Sequence, residues 1–258
     1  MNELVTAYKL ARPDGYDFHT GKTIMYRNES YPHTVKCPSI KPCELQYKAC
    51  TKYVLHASEN PNDCFVGANI PCSAYKVEGI PVCTEYDKMG FVELNVLEEI
   101  TDLDKLFGWK YNEAVNPINP LLIRTGKPVE SDIELLKQWA SVENSVRASV
   151  QDSVWASVWD SVWDSIRASV WGSMGNIVRN KVGDRVEASV GDSVWASVWA
   201  YTGSLFPNIT KWKYASNEQG EYLFQSAVDL WKRGFVPSFD GEIWRLHSGE
   251  NANIVFKL

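Results

Sequence analysis

Residues 153–164 read SVWASVWDSVWD, three copies of a four-residue unit whose frame continues without a slip from Ser141 to Ala200. The unit is Ser-Val-x followed by Ala, Asp, Gly or Asn. A fixed short period is typical of repeat architectures, in which every copy forms the same structural element. The repeat therefore decides which fold class the sequence predicts.

A single long α-helix fits this period poorly. Each helical residue advances about 100°, so four residues overshoot one turn by about 40°, and the valine stripe would wind around the helix along the repeat. Valine, serine and glycine are also weaker helix formers than alanine or leucine. Both observations count against a helix that spans the whole repeat.

A β-solenoid fits the period better. Ser-Val-x would form a short strand with Val inward, and the fourth residue would form a corner. Three sides per coil would stack Asp152 on Asp164, and stacked like charges are unfavourable. Four sides avoid this contact and place Arg147 over Trp163. We predict a mainly β fold with α+β flanks, built on a four-sided, alternatively three-sided, β-solenoid.

The repeat resembles the pentapeptide-repeat right-handed β-helices, shortened by one residue per unit. Two flanking segments resemble uncharacterised phage and bacterial hypothetical proteins. The first has a cysteine before Leu55-His56-Ala57-Ser58, then Pro61 and Asp63, with Val54 where the pattern has Gly. The second is residues 230–249, LWKRGFVPSFDGEIWRLHSG. The resemblance implies a phage or prophage type of protein, and it implies no established activity.

Changes in composition divide the chain into four parts. Ser131 and Glu134 have the spacing of a capping box and predict a helix just before the repeat. Gly234 ends a predicted amphipathic helix. The predicted parts are an N-terminal α+β domain (1–110), a linker and capping helix (111–140), the tetrapeptide-repeat solenoid (141–200) and a C-terminal helix plus β-hairpin cap (201–258).

Composition narrows the class of function. The net charge of −6 on 258 residues argues against a nucleic-acid binder, which would carry a basic patch. The sequence has no apolar run long enough for a membrane span and no signal peptide, so we expect a cytoplasmic protein without a membrane partner. The six cysteines are spaced too widely for zinc pairs, and we expect reduced thiols, no metal and no cofactor.

Tryptophan fills one column of the repeat. Soluble proteins rarely leave large apolar patches bare, and tryptophan is frequent where proteins bind each other. The column predicts a non-enzymatic binding or structural protein that self-associates or docks a protein partner, although the chain's own termini could cover the rings instead. The candidate residues are Trp155, Trp159, Trp163, Trp171, Trp195 and Trp199.

A second hypothesis places a nucleotide- or small-ligand-handling enzyme or binder in the N-terminal domain. Its candidate residues are Arg27, His56, Ser58 and Asp63, with His56 as a general base or ligand-binding group. Tyr26-Arg27 ahead of His-Ala-Ser resembles ADP-ribosyltransferase cores, but the sequence lacks their Glu-x-Glu element. The structural alternative is that His56 holds its own turn. The sequence leaves enzymatic activity open and favours binding over catalysis.

Overall fold

The computed structural model describes residues 3–39, 41–42, 46–49, 51–146, 193–209 and 221–258. They belong to two compact units, an N-terminal unit that ends at Phe107 and a C-terminal unit that begins at Gly108. Both contain small antiparallel sheets, and the C-terminal unit adds helices. The fold is therefore a mixture of helices and small antiparallel sheets.

The N-terminal unit consists mainly of short strands. They are β1 (Val5–Ala11), β2 (His33–Lys36), β3 (Leu55–Ala57), β4 (Ser73–Gly79), β5 (Pro81–Glu85), β6 (Lys88–Phe91) and β7 (Glu93–Ile100). A 3-10 helix covers Pro61–Val66, and α1 covers Leu103–Phe107. The 3-10 helix begins after Asn60, whose side chain accepts a hydrogen bond from the Asn62 amide.

The larger sheet has the order β1-β4-β7-β2, and every neighbouring pair is antiparallel. Burial alternates along the first half of β7 and the second half of β4, as in strands with one covered face. Val77, Leu94 and Val96 are fully buried. On the other face, the Asn95 amide nitrogen donates to the Glu78 carboxylate at 2.9 Å. The alternation fixes which face of the sheet covers the core.

A smaller sheet of order β3-β6-β5 completes this unit. Tyr8 and Ser58 exchange two backbone hydrogen bonds, at 2.8 and 3.1 Å, and so join the end of β3 to β1. The core lies between the strands of the two sheets. Its buried members are Ala7, Ala11, Ile24, Tyr26, Val35, Leu55, Ala57, Tyr75, Val77, Met89, Phe91, Leu94 and Val96.

The C-terminal unit combines helices with a three-stranded sheet of order β10-β9-β8. Its elements are α2 (Tyr111–Val115), a 3-10 helix (Pro120–Leu122), α3 (Glu130–Val146), α4 (Ser193–Gly203), α5 (Gln225–Lys232), β8 (Val236–Phe239), β9 (Trp244–Ser248) and β10 (Asn253–Lys257). The predicted C-terminal helix and the predicted hairpin of the last two strands are confirmed as α5 and β9–β10.

Buried aromatic residues hold this unit together. The rings of Tyr201 and Trp231 stack with their centroids 5.3 Å apart. The indole nitrogen of Trp231 donates to the Ile118 carbonyl at 2.9 Å, and the Tyr201 hydroxyl donates to Glu113 at 2.9 Å. These hydrogen bonds satisfy polar groups that would be costly to bury alone.

The predicted β-solenoid is wrong. Residues 141–146, at the start of the repeat, continue α3, and residues 193–200, at its end, belong to α4. No solenoid coil occurs in the parts of the chain that the structure describes, and residues 147–192 of the repeat lie outside them. The drift of about 40° per unit matters over many units but is small over one or two, so the same sequence can form a short helix.

Burial around α4 explains why its sequence suits a helix. Ser197, Val198 and Ala200 come from three different columns of the repeat, and all three are buried. The small Ser and Ala side chains let α4 pack closely against α5 and β8. A helix that is covered on several sides does not need a narrow apolar stripe. In the described residues, no helix has both the length and the apolar character to cross a membrane.

Replacing the glycine in the turn after β1 by alanine should lower the stability of the protein measurably. Gly15 has a φ of +87°, and a Cβ there would lie 2.5 Å from the Arg27 Cβ. Gly21 also has a positive φ (+65°), but a Cβ there meets nothing within 4 Å. We expect Gly15→Ala to lower the free energy of unfolding by about 3 kcal/mol and Gly21→Ala by only about 1 kcal/mol. Urea denaturation of both variants measures the difference, and equal losses would contradict this account of the turn.

Candidate functional site

The N-terminal unit contains a cavity of about 770 Å³, lined by β1, β3, β6, the 3-10 helix, the loop after β1 and the loop before β3. Its lining mixes apolar side chains with a few polar and charged ones. The apolar members include Leu10, Ile24, Val54, Leu55, Ala57, Val66 and Ala68, and the polar members include Lys9, Asp17, His19, Thr20, Lys52, His56, Ser58, Cys64 and Lys88. This size and mixture are typical of sites for small organic ligands.

A buried ion pair lies in the wall of the cavity. The Lys9 Nζ is 2.7 Å from the Asp17 carboxylate, and both side chains are less than one-tenth exposed. Lys9 occupies the core side of β1, where the neighbouring positions on that side are Ala7 and Ala11. These small residues leave room for the lysine stem.

Contacts around the pair keep both groups charged. Burial alone would lower the pKa of Lys9, but Tyr26 and Asp17 outweigh it and raise this pKa. Burial alone would raise the pKa of Asp17, but Lys9 and the backbone amides of His19 and Thr20 lower it. The Lys9 ammonium also lies 5.1 Å from the centre of the Tyr26 ring. The pair therefore forms a fixed dipole in the wall of the cavity. Because Lys9 stays protonated, it cannot act as a nucleophile.

His56 is one of the polar residues that line the cavity. It lies on β3, whose neighbour β6 places Gly90 directly opposite it. Burial, together with the charges of Lys9 and Lys88, lowers the pKa of His56 to about 4. The imidazole is therefore neutral at physiological pH and can both donate and accept a hydrogen bond. A base this weak is poorly matched to proton abstraction near neutral pH.

Two other residues shape the cavity. A Cβ on Gly67 would lie 2.8 Å from the Nε2 of His19, so a larger residue here would require the exposed His19 ring to shift. This close approach brings the loop after Asp17 against the residues that follow the 3-10 helix. Burial raises the pKa of Cys64 to about 11, and its thiol donates to the Tyr8 carbonyl at 3.1 Å. Cys64 is a protonated structural thiol rather than a reactive thiolate.

The structure brings together two of the four predicted ligand-site residues. His56 and Ser58 both line the cavity, whereas Arg27 and Asp63 are not among its lining residues. Arg27 forms a two-contact ion pair with Glu99 and donates to the Ser73 hydroxyl at 2.9 Å. Asp63 accepts from the Asn60 side chain at 3.3 Å beside the 3-10 helix. Both contacts stabilise local structure.

The predicted tryptophan surface stays a prediction. Trp155, Trp159, Trp163 and Trp171 lie outside the described residues. Trp195 and Trp199 lie on α4, and Trp199 is half-buried. Self-association or docking through this column is therefore neither supported nor opposed by the described residues.

A serine–histidine pair in the C-terminal unit is structural. The Ser238 hydroxyl lies 2.7 Å from the His247 Nε2, and the His247 Nδ1 lies 3.0 Å from the Ala252 carbonyl. A carbonyl only accepts, so Nδ1 carries the proton and Ser238 donates to Nε2. Both side chains are fully buried, so no substrate can reach them.

Sequence reasoning missed Lys9, Asp17 and Lys88. The sequence did contain a signal for Lys9. This lysine lies in the middle of an apolar strand, with an alanine two residues away on either side. Lys88 follows a turn and resembles an ordinary surface lysine in the sequence. Among the described residues, no group of three or more His, Cys, Asp or Glu side chains could hold a metal ion.

Breaking the buried ion pair should cause a large loss of stability, part of which a second substitution should restore. We expect Lys9→Met to lower the free energy of unfolding by about 3–5 kcal/mol, because it leaves the Asp17 charge buried without its partner. Adding Asp17→Asn should recover part of this loss. The matched control is Lys36→Met, which breaks the exposed pair with Glu93 and should cost at most about 1 kcal/mol. Urea denaturation of the variants measures these costs, and a double variant as unstable as Lys9→Met would contradict the assignment.

The lowered pKa of His56 predicts a dependence of stability on pH. Its folded value of about 4 lies below the ordinary 6.5, so the unfolded chain binds a proton more readily. The stabilisation by neutral His56 is complete above pH 6.5 and is lost as the pH falls towards 4. Thermal unfolding should show that the unfolding temperature falls less over this pH range for His56→Asn than for the wild type. The lowered pKa of His247 makes stability fall with pH in the same direction, and it does so in both proteins. Equal losses of stability in the wild type and His56→Asn would therefore contradict the prediction.

Comparison of the chain with protein-family models, with curated proteins and with solved structures found no match in any of the three. The site is therefore interpreted from its own geometry and chemistry.

Proposed function

We propose that the N-terminal unit binds a small organic molecule in the cavity beside His56. The cavity itself carries the proposal, because about 770 Å³ falls within the range of ligand pockets and its apolar walls hold a few placed polar groups. The unit acts in this proposal as a binding module. Its ligand would bury an apolar body against residues such as Val54 and Ile24.

The polar groups of the cavity favour recognition over chemistry. His56 is neutral, Cys64 is a protonated thiol, and Lys9 is held as an ammonium by Asp17. None of these has the activated state that a nucleophile or a general base requires near neutral pH. His56 can still orient a ligand, since a neutral imidazole both donates and accepts a hydrogen bond, and a serine hydroxyl such as that of Ser58 has the same capacity.

The rigidity of the cavity wall also supports binding. The wall is held by the Lys9–Asp17 ion pair and by the two backbone hydrogen bonds between Tyr8 and Ser58. A site that is already in place loses less conformational entropy when a ligand binds. Small ligands can therefore gain useful affinity from a modest number of contacts.

A ligand screen on the full chain tests the proposal. Thermal-shift measurements would cover nucleosides, nucleotides, nicotinamide cofactors and aromatic acids, and isothermal titration calorimetry would follow each positive result. We expect His56→Asn to weaken binding about five- to thirtyfold, the equivalent of one hydrogen bond. The control is His33→Asn in β2, which lies outside the cavity lining and should leave affinity unchanged.

Two results would overturn the proposal. One is a screen in which no compound of any class raises the unfolding temperature. The other is a bound compound whose affinity is the same in the wild type, His56→Asn and His33→Asn, because the ligand would then bind outside this cavity.

A further inference from the structure

We propose that the hydroxyl of Thr20 hydrogen-bonds the ligand of this cavity and selects a molecule that carries a hydroxyl, carbonyl or amide group on an apolar body. This inference rests on the proposed function, to which it adds a specificity-determining residue and the chemical class of the ligand. It concerns the loop of residues 17–24, which follows β1 and forms part of the cavity wall.

Hydrogen bonds fix the path of this loop. The Asp17 amide donates to the Ile24 carbonyl at 3.0 Å and so closes the loop. The Thr20 amide donates to the Asp17 carboxylate at 3.2 Å, and the Thr20 carbonyl accepts the amide and the hydroxyl of Thr23 at 3.3 and 2.9 Å. The backbone of Thr20 is therefore held in place from both sides.

The side chain of Thr20 is less well satisfied than its backbone. Its Oγ1 atom is buried, and among the described residues nothing forms a hydrogen bond with it. A buried hydroxyl without a partner destabilises a folded protein, so such groups are rare and their presence needs an explanation. A hydrogen bond that forms only when the ligand is bound provides this explanation.

Other hydroxyl groups in the cavity wall already have partners. The hydroxyl of Thr23 donates to the Thr20 carbonyl, and that of Thr51 donates to a backbone carbonyl at 2.9 Å. Burial raises the pKa of Cys64, and a hydrogen bond from the Ser58 side chain opposes this rise. These hydroxyls therefore act within the protein, whereas the part of the chain that the structure describes gives Thr20 Oγ1 no such role.

Rotation of the side chain brings the hydroxyl to the ligand. Thr20 as a whole is half-buried and lines the cavity, although its oxygen is covered. The oxygen of a threonine can move between staggered positions about the Cα–Cβ bond while the backbone stays in place. Because the Oγ1 atom gives up no hydrogen bond when it turns, a bond to the ligand is gained without the loss of another.

The wall around Thr20 determines the rest of the ligand class. Phe18 and Ile24 belong to the same loop and line the cavity, as does Leu10 of β1. Apolar surface of this kind binds the body of a ligand but distinguishes weakly between molecules of one shape. A site built to hydrogen-bond a polar group binds the analogue without that group less well. The Thr20 hydroxyl therefore supplies the selectivity that the apolar wall lacks.

Matched substitutions and matched probes test this role of Thr20 in the full chain. Thr20→Val removes the hydroxyl and keeps the branched shape, and Thr51→Val makes the same change at a cavity hydroxyl that already has a partner. The probes are thymol and para-cymene, which is thymol without its hydroxyl group. NMR titration gives the dissociation constants, and thermal denaturation gives the unfolding temperatures.

We expect the wild type to bind thymol more tightly than para-cymene. Thr20→Val should weaken the binding of thymol about three- to tenfold, the equivalent of one neutral hydrogen bond, and leave that of para-cymene unchanged. Thr51→Val should bind both probes as the wild type does. Thr20→Ser keeps a hydroxyl and should retain the preference for thymol.

The stability of the ligand-free variants gives an independent readout. Thr20→Val removes a buried hydroxyl without breaking a hydrogen bond, so the unfolding temperature should stay the same or rise. Thr51→Val breaks the bond to the Lys48 carbonyl and should lower the unfolding temperature by about 2 °C. A structural role for the Thr20 hydroxyl would instead make Thr20→Val the less stable of the two variants.

Three results would overturn the inference. One is a wild type that binds thymol no better than para-cymene, and another is the same ratio of the two affinities in the wild type and Thr20→Val. The third is a Thr20→Val protein that is less stable than Thr51→Val or fails to fold, because its hydroxyl would then serve the fold. Binding that depends on His56 but not on Thr20 would remove this inference and leave the proposed function standing, so the two failures are distinguishable.

Discussion

The ion pair between Lys9 and Asp17 is the interaction on which the N-terminal unit depends. It joins the middle of β1 to the loop that follows this strand, and the Asp17 carboxylate also holds the loop by accepting two backbone amides. Two buried charges cost several kcal/mol in desolvation, so they persist only where their geometry and further hydrogen bonds offset that cost. Here the offset comes from short contacts and from the adjacent Tyr26 ring. The same loop then forms one wall of the cavity.

The cavity obtains its chemical character from this arrangement. Because Lys9 is committed to Asp17, the pair adds rigidity without adding net charge. Burial, with the positive charges of Lys9 and Lys88, keeps His56 neutral, which suits hydrogen-bond recognition better than proton transfer. The buried thiol of Cys64 is also kept in its inert form. Lys9, His56 and Cys64 are therefore an ammonium, a neutral imidazole and a protonated thiol.

The tetrapeptide repeat illustrates how one pattern fits two structures. A valine every fourth residue can face inward along the side of a solenoid, and the same valines can lie within about 40° of each other on a short helix. The described ends of the repeat are helical: residues 141–146 continue α3, and α4 buries Ser197, Val198 and Ala200 from three columns at once. The prediction treated the repeat as an isolated object, whereas α4 packs against α5 and β8.

Local signals determined the elements near the C-terminus and around Asn60. The helix that ends before Gly234, the hairpin of β9 and β10, and the Asn60 cap follow from periodicity, turn residues and capping, which act between residues close in sequence. His56 and Ser58 could also be proposed as candidates from their side chains alone. No local pattern indicated strand β8, and the sequence-based prediction placed Arg27 and Asp63 in a site that they do not line.

Only the tertiary structure decided where the cavity lies and which charges meet in it. Lys9 and Lys88 are far apart in the chain, and they come together because β3 pairs with β6 on one side and joins β1 on the other. Asp17 lies in a loop whose path depends on the left-handed turn at Gly15. Pairing of strands distant in sequence leaves no local pattern, whereas caps and short turns do. For that reason the sequence by itself determined several elements of this protein, while the tertiary structure alone determined its candidate site.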